Sequence, residues 1–121
     1  MGIQSKDIVH DEELTLKISR EGFESFVICL TLGTLRAIRE GTLKPEAGIW
    51  TIGRPVFWRR LEKEDLLSPR VLQVLQTADE IDALYELAGS GKGIQMIDEL
   101  IEILEDELKT QAQPLWRATW E

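Results

Sequence analysis

Three stretches of this chain repeat apolar side chains every three or four residues, and that spacing commits it to packed helices. From Ser19 to about Glu40 the positions Phe23, Phe26, Val27, Leu30, Thr34, Leu35 and Ile38 follow one helix face, and Gly41 is a natural stop. Ile28 and Leu32 are apolar on the other side, so this helix is expected to be central, with others around it. Ser68-Pro69 opens the second stretch, since serine can cap and proline suits the first turn. Val71, Leu72, Leu75, Ala78, Ile81, Leu84 and Leu87 then predict one amphipathic helix of about twenty residues, stopping at Gly89-Ser-Gly-Lys-Gly93. The third runs from about Ile94 to Gln111, with Ile97, Leu100, Ile101, Leu104 and Leu108 on one face and Pro114 beyond its end.

Between the long helices, Pro45 and Pro55 each fit the first position of a short helix, the one near Lys44 to Gly53 and the other over Arg54 to Glu62. Leu14-Thr-Leu-Lys-Ile18 alternates as a half-buried strand does, and it reads equally as the first turns of the helix after it. Residues 1–13 carry no period and are expected to form a loosely ordered leader. The tail contains Trp116 and Trp120, of which at least one is expected to fold back onto the domain. The fold class is therefore all-α: a single compact domain of four to six helices over 14–121, with a short N-terminal strand as its one β candidate. At 121 residues such a domain buries roughly two-thirds of the surface that its unfolded chain exposes.

Charge is unevenly placed along the chain. Residues 79–121 hold eleven acids against three bases, whereas residues 36–60 hold six bases against two acids, within a net charge of −8. Such a surface repels nucleic acid and anionic membranes, and it steers basic partners toward the C-terminal half. Phe26 to Leu32 is the longest apolar run and is too short to span a bilayer. The first seven residues lack the basic-then-apolar order of a secretory signal, so a cytoplasmic location is expected. Cys29 is the one cysteine and sits in an apolar string, where it reads as a buried small hydrophobe rather than a nucleophile.

The inventory for catalysis is thin. His10 is the one histidine and is followed by Asp-Glu-Glu, not by the second histidine of a zinc-binding pair. Gly89-Ser-Gly-Lys-Gly93 invites a phosphate-loop reading, but a Walker loop needs glycine where Glu86 stands and serine or threonine where Gly93 stands. A helix–helix turn fits it better. Glu99, Glu102 and Asp106 recur at helical spacing with no histidine among them, so a solvated acidic face is expected in place of a metal site. No catalytic, cofactor or metal residue emerges from the sequence.

Trp50-Thr-Ile-Gly-Arg-Pro-Val-Phe-Trp-Arg-Arg60 is the most distinctive segment. Its Trp50, Arg54, Phe57, Trp58, Arg59 and Arg60 have the aromatic and guanidinium composition of interface hot spots. The competing reading makes Trp50 and Phe57 core plugs and pairs the arginines with acidic helices of the same molecule.

The run Leu32-Gly-Thr-Leu-Arg-Ala-Ile-Arg-Glu-Gly-Thr-Leu-Lys-Pro-Glu-Ala-Gly-Ile-Trp50 resembles a pattern in small bacterial helical proteins of unknown function. There a Leu-Gly helix leads through a glycine turn to a short acidic helix and an aromatic-proline segment. The resemblance covers residues 26–58, implies a compact bacterial helical domain, and supplies no site residues.

The expectation for function is a non-enzymatic protein–protein interaction module, with a homodimer among its forms, using Trp50 to Arg60 or the apolar edge of a long helix. The alternative is an acidic inhibitor or immunity-type protein that masks a basic toxin or nuclease with Asp98, Glu99, Glu102, Glu105 and Asp106. An enzyme or small-molecule binder is the contrasting class, and requires a pocket of converging carboxylates. No nucleic acid, membrane or cofactor is expected as a partner.

Overall fold

The computed structural model describes residues 13–111 and 117–120. Among them lie six helices and two short strands, in an all-α architecture. In chain order they are β1 (Leu16–Ile18), α1 (Phe23–Arg39), α2 (Pro45–Ile52), α3 (Pro55–Lys63), α4 (Pro69–Ala78), α5 (Ile81–Ala88), α6 (Ser90–Thr110) and β2 (Ala118–Trp120). The leader, apart from Glu13, falls outside the described residues, as does Trp116.

The strand reading of Leu14 to Ile18 holds over Leu16–Ile18. These residues pair antiparallel with β2 in the register Leu16 to Trp120, Lys17 to Thr119 and Ile18 to Ala118. Ser19 N–H donates to the Arg117 carbonyl at 3.0 Å and extends the ladder by one step. Trp120 is held by this pairing and remains 69% exposed, so it does not fold back onto the core.

Helix starts follow local chemistry. Pro45, Pro55 and Pro69 each occupy a first turn, where a missing N–H costs nothing. Ser68 Oγ also accepts from Val71 N–H at the start of α4. Helix α1 ends at a turn through Gly41, whose φ of +81° suits glycine, and Thr42 N–H returns to the Ala37 carbonyl.

The core is continuous and aliphatic. It joins Val27, Ile28, Leu35 and Ile38 of α1, Ile49 and Ile52 of α2, Val71, Val74 and Leu75 of α4, Ile81 of α5, and Ile97, Leu100, Ile101 and Leu104 of α6. Burying each such side chain contributes about 1.5–3 kcal/mol.

Four expectations are corrected. Helix α6, not α1, is the hub, because α1, α4 and α5 all pack on it. Helix α1 instead keeps an outer strip, with Cys29, Leu30 and Gly33 exposed. Cys29 is thus on the surface, since its apolar neighbours Val27 and Ile28 take the inward positions. The long helix expected from Ser68 is two, because the chain turns at Asp79-Glu80, where Glu80 N–H reaches back three residues to the Thr77 carbonyl at 2.9 Å. The glycine-rich turn is narrower than expected: Gly89, with φ +89°, makes it alone, and Ser90 to Gly93 already belong to α6.

Candidate functional site

The segment from Trp50 to Arg60 forms a corner between two short helices. Helix α2 ends at Ile52, Arg54 takes an extended conformation with ψ of 140°, and Pro55 starts α3 at once. Trp58 Nε1–H donates to the Gly53 carbonyl at 3.0 Å and fastens α3 to the end of α2. Phe57 and Trp58 are half-buried and pack against the core, so their aromatic bodies hold the corner together.

The outer side of the corner differs. Trp50 is 63% exposed, and the Arg54 guanidinium lies over its ring, 4.2 Å from the centroid. At an exposed site such a contact contributes about 0.5–1 kcal/mol. Val56 is 87% exposed and Arg59 is exposed. Trp50 therefore plugs no core. Of the three arginines expected to pair with acidic helices, Arg60 alone has an ion pair among the described residues, and its partner Glu64 lies in the turn that follows its own helix, with Arg60 Nε 2.6 Å from the carboxylate. That hydrogen bond holds the Glu64 carboxyl below its ordinary value and raises Arg60.

Beside Trp50 a groove of about 240 Å³ runs between α2 and α5. Trp50 and Arg54 line it together with the apolar Ile49 and Ala83. The rest of its lining is acidic: Glu46 on α2, Asp79 at the α4–α5 turn, and Asp82 and Glu86 on α5. Gly53 sets this junction, because a side-chain carbon there would stand 3.1 Å from Asp79 N and 3.2 Å from Asp79 Cα. The groove is smaller than the clefts of roughly 300–1,000 Å³ that enclose cofactors and drug-sized molecules. The local sequence pattern does not single out Val56 or the four groove carboxylates as site residues. The one available signal was Asp82 and Glu86, like charges four apart on a helix, an arrangement that repels.

The acidic face of α6 is divided. Asp98 accepts from Arg39 Nε at 2.5 Å and Nη2 at 3.3 Å, which lowers its carboxyl and raises Arg39. Glu105 pairs with Arg36, and Glu107 pairs with Arg70 at 3.3 Å. These arginines come from α1 and α4, so they tie the hub helix to its neighbours. Glu99, Glu102 and Asp106 are exposed and have no ion pair among the described residues.

Among the described residues, no three His, Cys, Asp or Glu side chains are grouped to hold a metal ion. No helix there is long and apolar enough to cross a membrane. The chain matches no family model, no curated protein and no solved structure.

Proposed function

We propose that this chain is a non-enzymatic protein–protein interaction module of the cytoplasm that binds through the corner between α2 and α3. One observation carries the reading: Trp50, the type of residue most enriched among interface hot spots, stands 63% exposed beside a core that holds every other large helical aromatic at least partly buried. Val56 and Arg59 extend the same corner as apolar and cationic contacts. The partner is a second protein or a second copy of the chain. Trp58 and Phe57 serve the scaffold, so substituting them would disturb the fold as well as binding.

The test is affinity capture of the tagged chain from native lysate of its source cell, eluted in salt steps, with sedimentation velocity of the purified chain alongside. Wild type retains one partner or sediments as a dimer, and Trp50→Ala with Val56→Ser loses that association while keeping its urea midpoint. Association unchanged in the double variant contradicts the reading.

A second reading has its own support. Glu99, Glu102 and Asp106 present a row of carboxylates with no intramolecular ion pair among the described residues, as an inhibitor of a basic toxin or nuclease would. It predicts capture that moderate salt reverses, and that weakens when these three are neutralised together.

A further inference from the structure

From the groove between α2 and α5 we infer the chemistry of the partner: a basic peptide segment that lays an arginine side chain in the groove, across Trp50 and between the carboxylates of α2 and α5. This rests on the interaction reading and deepens it. Charge placement is the first ground. The chain sets its own arginines against acids of α6, where Arg39 meets Asp98, Arg36 meets Glu105 and Arg70 meets Glu107. Glu46, Asp79, Asp82 and Glu86 have no ion pair among the described residues, although Arg54 lines the groove with them. Four carboxylates and one guanidinium leave the groove at −3.

The second ground is the groove's shape and its aromatic wall. Acids alone make a solvated patch, but here they line a groove that also contains Ile49, Ala83 and an exposed indole. A long cationic side chain has both parts: an apolar stem for Ile49 and Ala83, and a charged head for the carboxylates. Arginine is favoured over lysine because its planar guanidinium can stack on an indole while it donates in its own plane to carboxylates. Arg54 already shows that stacking on Trp50, at 4.2 Å. Asp82 and Glu86 are separated by one helical turn, so they repel in the free protein and both gain from one bound cation. The groove's volume admits a side chain and is too small to enclose a cofactor.

The probe is a capped, fluorescein-labelled eight-residue peptide of alternating arginine and glycine, titrated into the full chain by fluorescence polarisation, with a citrulline version as its neutral control. Binding by wild type is expected to weaken about tenfold in Asp82→Asn/Glu86→Gln and in Trp50→Ala, and less than about twofold in Glu99→Gln/Glu102→Gln, which removes the same charge from α6. The citrulline peptide is expected not to bind. Equal loss in both charge variants, or no binding by wild type, overturns the inference. Unchanged urea midpoints in the variants separate loss of binding from loss of fold. The two proposals fail separately. If capture of the natural partner needs Trp50 and is indifferent to Asp82→Asn/Glu86→Gln, the interaction reading stands and the groove assignment falls. If capture is indifferent to Trp50, the interaction reading falls.

Discussion

Two glycines in helices show how a single atom is read by its neighbours. Gly33 lies in the middle of α1 with nothing within 4 Å of where a side-chain carbon would stand, so Gly33→Ala should gain helix propensity and raise stability by up to about 1 kcal/mol in urea unfolding. Gly93 lies on α6 against the Tyr85 ring, and an added carbon would sit 2.1 Å from two ring atoms. Gly93→Ala should therefore lower stability by about 1–3 kcal/mol, because a packed ring must move. Tyr85 is itself pressed into the interior, and burial pushes its hydroxyl above the ordinary value. Cys29 marks where reading by residue fails. Its string Phe26 to Leu30 is apolar throughout, yet a helix turns only part of such a string inward, and rotation about the axis is set by packing and not by the string. The exposed thiol should react with a thiol reagent in the native protein as readily as in urea; strong native protection would contradict its placement.

At the scale of elements, the signals that survived are those with a local cause. Three prolines and the Ser68 cap marked three helix starts because they act on their own turns. The break at Asp79-Glu80 was illegible for the converse reason: both residues are tolerated in helices, and it is the close approach of Gly53 that accompanies the bend there. Strand β2 is illegible in the sequence because three residues have no period and its pairing partner lies about a hundred positions away. As the hub, α6 should be the most sensitive element. Leu104→Ala is expected to cost about 2–5 kcal/mol, whereas Leu87→Ala, on the exposed side of α5, should change stability by no more than about 0.5 kcal/mol. The arginines that join α1 to α6 add an acid dependence. Arg39 holds Asp98 below its unfolded value, as Arg60 does Glu64, so both contributions are complete above about pH 5 and are lost as pH falls through the lowered folded values. The urea midpoint should drop on acidification toward pH ~3, and less steeply in Asp98→Asn than in wild type. Equal slopes would show that the pair adds nothing.

For the whole molecule, the acidic net charge was plain from the sequence, but its division into satisfied and open carboxylates was not. Asp98, Glu105 and Glu107 meet arginines from α1 and α4, while the acids around the groove come from α2, the α4–α5 turn and α5, more than thirty positions apart, and converge only through tertiary packing. The Trp50 to Arg60 segment was legible as distinctive, and its two roles were not separable by composition: Trp58 hydrogen-bonds within the corner, and Trp50 faces outward. The proposed binding requires that a protein cover that outward side in the cell. Hydroxyl-radical footprinting, read by mass spectrometry at Trp50 and Val56, tests it directly when the purified chain at low concentration is compared with the chain in native lysate. Oxidation of both residues is expected to fall in lysate, while that of Leu87, as exposed as Val56 and on α5, is expected to hold. Equal oxidation of Trp50 in the two conditions would contradict it.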